Sequence, residues 1–219
     1  MRKYIRKKRC KKRISPKTVE RLALYYEILI TLPLRRKYIS SEELGNLAGV
    51  SATTVRQDFL CFEEVEGKAR KGYEVKKLKK ALKEIFNVDK KTCGIIIGAG
   101  KLGQAISGYD NFKKSNICFK AFFDKDKRKV GKKINNIPVL DIKTLPEFIK
   151  KNKSVEVAIV CIPPKEAQEV VETIVESGIK AIWNFSPTVL ELPEDVVIEY
   201  ERIGVGFYKL LYNFKYRNK

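Results

Sequence analysis

Gly94-Ile95-Ile96-Ile97-Gly98-Ala99-Gly100-Lys101-Leu102-Gly103 lies in mid-chain, and its reading decides the fold. The isoleucine run predicts a buried strand. Gly98 permits a tight turn, Gly100 lets a backbone approach a pyrophosphate, and Gly103 lets a helix pack closely on the strand. A helix opening near Lys101 points its N–H groups at phosphate, with Ala99 and Leu102 completing the loop. Asp124 closes a second apolar stretch, Phe122-Phe123-Asp124, 21 residues after Gly103. At that interval a second strand ends and its carboxylate binds both hydroxyls of an adenosine ribose, which favours NAD(H) over NADP(H), whose added phosphate it repels. The alternative is a doubly wound sheet that uses these glycines for packing only. Lys125, Lys127 and Arg128 form a solvated basic face that leaves room for a phosphorylated ribose, and Lys125 joins the expected cofactor lining.

Working outward, 219 residues with 44% hydrophobic content suffice for two domains with real cores. The net charge of +20 points to a polyanion, most simply nucleic acid. A lysine-rich thermophile proteome accounts for such charge in part. Residues 1–90 hold 24 Lys and Arg against 11 Asp and Glu, so most of the excess lies ahead of the glycine turn. Five scattered cysteines without CxxC spacing argue against a disulfide framework and a zinc site, and fit a reducing cytoplasm. The basic N-terminus is not followed by an apolar signal core, and no stretch reaches the length that spans a bilayer. A cytoplasmic protein with no membrane partner is expected. With no histidine, the commonest general base and metal ligand is missing, so no catalytic residue and no metal site are expected.

Residues 1–13 carry nine Lys or Arg and read as a basic arm, extended until a polyanion neutralises it, or simply as a solvated tail. Ser15-Pro16 starts a helix with apolar residues Val19, Leu22, Ala23, Tyr26 and Ile30, which Pro33 ends. Ser40 with Glu43 makes a capping box for a short helix through Leu44, Leu47 and Ala48. Gly49 stops it, Ser51 caps the next, and that second helix runs through Thr53, Val55, Phe59 and Phe62. The pair reads as a helix-turn-helix held by Leu44, Ala48, Val50 and Val55. Its second helix presents Ala52, Thr53, Thr54, Arg56 and Gln57: Arg suits guanine, Gln suits adenine, and Ser51 and Thr53 bind phosphate. Gly67-Lys68-Ala69-Arg70-Lys71-Gly72-Tyr73, flanked by the alternation Tyr73, Val75, reads as a β-wing that lays Lys68, Arg70 and Lys71 along DNA, or as an ordinary basic turn. Leu78–Phe86 is an amphipathic helix, and Asn87-Val88-Asp89 marks a domain boundary.

Beyond the glycine turn, strands at 117–124, 155–162 and 181–184 alternate with helices at 145–151 and 164–177, which predicts a parallel sheet covered on both faces. Strand C-termini receive the ligand of such a sheet, so Ile162-Pro163 and Asn184 should line the cofactor, unless these are ordinary loops. Ile203–Phe214 is apolar nearly all round if helical. It must be buried against its own domain or a second subunit, and a dimer contact is the expectation.

Together these motifs resemble the Rex redox-sensing transcriptional repressors. The resemblance runs through Ile14-Ser15-Pro16, Arg21-Leu22, Leu24-Tyr25, Ser40-Ser41-Glu42-Glu43-Leu44, Val55-Arg56-Gln57-Asp58 and Gly72-Tyr73. It continues through Gly98–Gly103, Tyr109, Phe123-Asp124 and Asn184-Phe185-Ser186-Pro187. It implies an α/β chain: a basic arm (1–13), a winged helix-turn-helix domain (14–88), a Rossmann doubly wound domain (89–201) and a C-terminal helix (202–219) swapped between the subunits of a homodimer. It further implies double-stranded operator DNA as partner, released by NADH and bound with NAD. Tyr109 then meets an acidic residue of the other subunit's C-terminal segment, while a neighbouring aromatic covers the nicotinamide.

This chain departs from that pattern, since the register fixed by Leu190-Glu191-Leu192-Pro193 puts Arg202 at the acidic position and Ile203 at the aromatic one. Arginine cannot make the carboxylate–phenol hydrogen bond, although Glu201 adjoins it. Phe59-Leu60-Cys61 replaces the family's leucine, serine and tyrosine, Lys71 replaces a wing glycine, and Glu63, Glu64 and Glu66 repel phosphate. Altered operator choice follows. Besides a Rex-type repressor, three readings stay open: a divergent paralogue that binds NAD and DNA without strong NADH/NAD discrimination, a corepressor-like protein that no longer senses or reads sequence, and an NAD-dependent oxidoreductase. The oxidoreductase lacks an evident proton-transfer group.

Overall fold

Ser15 accepts the Thr18 N–H through its hydroxyl, and Pro16 fills the first helical position, so α1 (Pro16–Thr31) starts where the sequence signals it. The computed structural model describes residues 14–62 and 65–216; the basic arm and Glu63-Glu64 lie outside the described residues. The chain divides into two compact units, Met1–Lys90 and Lys91–Lys219.

In the first unit α1 buries Leu22, Tyr25, Tyr26 and Leu29 and leaves Val19 exposed. Of the expected stripe, Leu22 and Tyr26 are buried, Ala23 and Ile30 half-buried and only Val19 exposed; Tyr25 and Leu29 join the inner face, where Asp58 accepts the Tyr25 hydroxyl and Arg21. β1 (Tyr38–Ile39) precedes α2 (Ser41–Ala48) and α3 (Ala52–Phe59). Ser40 accepts the Glu43 N–H and Ser51 the Thr54 N–H, so each helix has its cap. The Glu43 carboxylate goes to Arg36. Gly49 ends α2 at φ +70, and a Cβ on Gly45 would meet the Val50 carbonyl oxygen at 2.6 Å, so the turn folds back against a bare patch of α2.

α3 stops at Phe59, and Phe62, expected within the helix, lies in the loop that follows the ensuing turn. Phe59 packs edge-on against Tyr25, Phe62 and Tyr73 at centroid distances of 5.4, 5.9 and 4.9 Å. β2 (Tyr73–Glu74) pairs antiparallel with β1, Ile39 opposite Tyr73. Val75 does not continue that strand as expected; it opens α4 (Val75–Ile85), because Val75, Leu78 and Leu82 recur at helical spacing and are buried together.

The second unit runs β3 (Thr92–Ile97), α5 (Lys101–Ser107), α6 (Asp110–Lys114), β4 (Ile117–Asp124), β5 (Lys133–Ile134), β6 (Ile137–Asp141), α7 (Leu145–Lys151), β7 (Val155–Val160), α8 (Pro164–Glu176), β8 (Ala181–Asn184), β9 (Val197–Tyr200) and α9 (Ile203–Tyr216). The sheet order is β5-β6-β4-β3-β7-β8-β9, all parallel except β5 on the edge. Alternation along β3 sends Ile95 and Ile97 to a core with Leu145 and Ile149 of α7 and Val171 and Ile174 of α8. Ile96 goes to the opposite face, with Phe122, Val139 and Ile106 of α5. Helices thus cover both faces of a doubly wound sheet. The β5–β6 hairpin, absent from the sequence reading, turns on Asn135 and Asn136 at φ 50 and 64, the left-handed pair that a two-residue hairpin loop requires. Strand β9 had no reading either. α9 is exposed along its whole length, with Phe207, Tyr208, Leu210, Tyr212 and Phe214 at 60–74%.

Candidate functional site

Four segments meet at the C-terminal edge of adjacent strands: the Gly98–Gly103 turn after β3, Asp124 ending β4, Ile162-Pro163 after β7 and Asn184 ending β8. Chain order reverses between β3 and β7, which is where a doubly wound sheet opens a crevice for its ligand. Gly98 has φ +98, and a Cβ there would strike the Cys161 carbonyl oxygen at 2.5 Å and Ile162 Cγ2 at 3.0 Å. A Cβ on Gly103 would meet the Gly98 carbonyl oxygen at 2.3 Å, so this glycine seats α5 against the turn. Gly100 differs from both. Beyond its two chain neighbours, no atom of the described residues lies within 4 Å of the Cβ it lacks, so its bareness opens the turn outward. Lys101 and Leu102 follow it at the exposed start of α5, Ala99 is buried, and Gln104 braces the turn by donating to the Ala99 carbonyl at 3.0 Å.

Asp124 reaches this turn. Its Oδ2 accepts the Ala99 N–H at 2.9 Å and the Lys129 ammonium at 2.9 Å, and its Oδ1 accepts the Asp126 N–H at 2.9 Å. Burial pushes its carboxyl up, and the Asp126 N–H, the Lys129 ammonium and the Ala99 N–H outweigh that and hold it below the ordinary carboxylate value. It is an anion of fixed orientation. A carboxylate has about four acceptor positions, so three bonds leave one for a hydroxyl, and Lys129, with its side chain 38% exposed, can yield another. Lys125 instead pairs with Glu166 at 2.6 Å and Arg128 with Asp126 at 2.8 Å.

The Asn184 amide is buried and used within its own loop: Oδ1 accepts the Ser186 N–H at 2.9 Å, and Nδ2 donates to the Ser186 and Thr188 carbonyls at 3.2 and 3.1 Å. Beside it the buried Ser186 Oγ finds no hydrogen-bond partner among the described residues. Tyr109 immediately precedes α6, 45% exposed, with its hydroxyl accepting from Asn111 at 2.9 Å. An open glycine turn, an ionised acid with spare acceptor capacity and an orphaned hydroxyl on the same edge fit a ligand with a pyrophosphate and a ribose diol. Sequence reasoning overlooked Gln104 and Lys129, and carried Ser186 only as part of the Asn184-Phe185-Ser186-Pro187 stretch. Among them only Lys129 left a signal, an acid followed two and five residues later by Asp126 and a lysine.

In the first unit Ser51, Thr53, Arg56 and Gln57 are exposed along the start and outer face of α3, and Thr54 is half-buried. The Arg56 guanidinium is braced by the Ser41 hydroxyl at 3.0 Å and the Thr53 hydroxyl at 3.1 Å, while Ser51 and Thr54 share a 2.9 Å hydroxyl contact within the cap. α3 is anchored from behind by Asp58, which accepts Arg21 Nε at 2.7 Å, Arg21 Nη2 at 2.5 Å and the Tyr25 hydroxyl at 3.0 Å. The basic turn is closed by Lys68 and Gly72, which exchange two 2.9 Å backbone bonds, with Arg70 at φ 62 at its tip. Lys68, Arg70 and Lys71 are all exposed. Among the described residues no group of three or more His, Cys, Asp or Glu could hold a metal, and no helix is long and apolar enough to cross a membrane.

Residues 89–188 match a family described as a CoA binding domain, and residues 13–59 one described as the putative DNA-binding protein N-terminus. The redox-sensing transcriptional repressor Rex of Clostridioides difficile is 38% identical over 93% of this chain and 97% of its own. That of Thermoanaerobacter pseudethanolicus is 40% identical over 92% and 90%. Among solved structures, RSP, a Rex-family repressor, is 38% identical in complex with β-NADH, with a TM-score of 0.83 over 95% of this chain and 97% of that one. In complex with β-NAD+ and operator DNA it has a TM-score of 0.81 over 95% of each chain.

Proposed function

The chain belongs to the Rex family of redox-sensing transcriptional repressors, and from that membership we propose that it is a dimeric repressor whose hold on operator DNA is set by the NADH/NAD ratio. The observation that carries the nucleotide half is the Asp124 carboxylate bonded to the Ala99 N–H of an open glycine turn. Bound there, the cofactor supplies a nicotinamide ring that is cationic when oxidised and neutral when reduced. Gly98, Gly100 and Lys101 admit the pyrophosphate, and Asp124 takes the ribose hydroxyls as Lys129 gives way. Ala99, Leu102 and Gly103 shape the turn, Lys125, Ile162, Pro163 and Tyr109 line the crevice, and Asn184 holds the loop that presents Ser186. Arg56 and Gln57 read bases, with Ser51, Thr53, Thr54, Lys68, Arg70 and Lys71 on phosphates.

The exposed apolar length of α9, which no described residue covers, supports a homodimer. The role is regulation and not enzymatic turnover, as for its relatives, and its place is the cytoplasm, where operator and nicotinamide pool are both met. The Arg202 guanidinium lies over the Tyr200 ring at 5.7 Å, at the position where the resemblance puts an acid. That contact favours a second reading, a paralogue that binds both partners but discriminates NADH from NAD weakly. Retardation of a promoter fragment at varied NADH/NAD ratios tests the proposal: shifts that depend on the ratio support it, and absence of binding at every ratio defeats it. Titrating each cofactor alone separates the two readings, because a large preference for NADH eliminates the second.

A further inference from the structure

Cys93 and Cys118 stand opposite one another near the starts of β3 and β4. Scattered in the sequence, they are united by the parallel ladder, which sends side chains of paired residues to the same face. Their Sγ atoms are 2.7 Å apart. That is about 0.7 Å longer than a disulfide bond, and a strand spacing of about 4.8 Å lies within the Cα separation a disulfide tolerates. Cys93 is buried, whereas Cys118 is partly exposed and open to a small oxidant. The other described thiols are placed differently: Cys61 donates to the Asp58 carbonyl, and burial pushes Cys161 up to about 12.

We propose that Cys93 and Cys118 form a reversible intrachain disulfide on exposure to a peroxide, a modification site at the opposite sheet edge from the nucleotide turn. The Cys118 thiolate attacks one peroxide oxygen, the O–O bond breaks, and the departing hydroxide takes up a proton as water. Cys118 is then a sulfenic acid. The Cys93 thiolate attacks its sulfur, the S–O bond breaks, and a second water leaves. Two thiols give up two electrons and two protons, and the peroxide is reduced to two waters. A dithiol reductant reverses the bond by exchange. Burial and the adjoining Cys93 thiol hold the Cys118 thiol above its ordinary value, with Lys91 and Lys120 offsetting part of this. Attack therefore quickens as pH rises.

The test uses the full chain, reduced and then treated with a small excess of hydrogen peroxide, alkylated and mapped by mass spectrometry. The expected result is loss of two of the five thiols, a single peptide pair cross-linked through Cys93 and Cys118, and recovery of both thiols with a dithiol. The rate should rise about tenfold from pH 7 to pH 8, following the thiolate fraction. Cys93→Ser and Cys118→Ser should each abolish the cross-linked pair, and the wild-type map decides the matter even where a variant fails to fold. Oxidation that ends at Cys118 sulfinic acid with Cys93 still alkylated, thiol loss confined to the other cysteines, bridges found only between chains, or a flat pH profile would each overturn the proposal.

Discussion

Gly100 and Gly103 sit three residues apart in one turn and should answer a methyl group in opposite ways. Gly103→Ala forces a Cβ onto the Gly98 carbonyl oxygen, and overpacking of that kind costs about 1–3 kcal/mol, visible as a lowered denaturant midpoint. Gly100→Ala meets no atom of the described residues beyond its chain neighbours, in a backbone conformation open to any residue, so stability should stay within about 0.5 kcal/mol. Its dinucleotide affinity, measured by calorimetry, should nevertheless fall at least about tenfold, a loss of about 1.4 kcal/mol. Unchanged affinity in a folded Gly100→Ala protein would remove the pyrophosphate from this turn. Asp124 adds a pH signature. Its folded carboxyl lies below the unfolded value, so its contribution to stability is complete above about pH 5 and is lost as pH falls through the lower folded value. The stability gap between wild type and Asp124→Asn should therefore close on acidification from about pH 5, as followed by urea unfolding at each pH. The spacing of glycines and acid was legible in the sequence because each has a local geometric cause. Lys129 and Gln104 were not, because their roles arise from partners, the Asp124 carboxylate and the Ala99 carbonyl, that only the folded sheet edge brings near.

Helices were read best where caps and periodicity agree, as in α2 and α3, and small strands worst, because two residues carry no periodic signal. The wing shows the difference: Gly67–Tyr73 was visible as a basic turn, yet its returning strand pairs with β1, some 35 residues earlier in the chain, and Val75 belongs to a helix. The stripe of α1 was legible in Leu22 and Tyr26, but not in the burial of Tyr25, whose hydroxyl finds Asp58 on a distant helix. Asp58→Ala should strip the buried Tyr25 hydroxyl of its acceptor and leave the Arg21 guanidinium its bond to the Thr18 hydroxyl, costing the first unit about 1–3 kcal/mol in calorimetric unfolding. On the wing, replacing Lys68, Arg70 and Lys71 together by alanine should reduce the slope of log affinity against log salt by about 2–3, close to one per phosphate lost. An unchanged slope would take the wing off the DNA backbone.

At the scale of the molecule, a charge of +20 without a single histidine already turned the reading from hydride chemistry toward a polyanion-binding regulator. The apolar run of α9 already called for a cover in the sequence, and among the described residues its side chains find none. In the dimer proposed above a second subunit completes it, and the spacing of two recognition helices then becomes a quantity that a cofactor can shift, provided it binds the two dimer geometries with different affinity. Arg202 and Ile203 stand where that preference would be set. The decisive measurement is the operator dissociation constant of the full chain by fluorescence anisotropy, at one fixed salt concentration, with saturating NADH and then with saturating NAD+. Redox-sensing repression predicts binding at least about tenfold weaker with NADH, a difference of about 1.4 kcal/mol; superimposable curves with the two cofactors would contradict it.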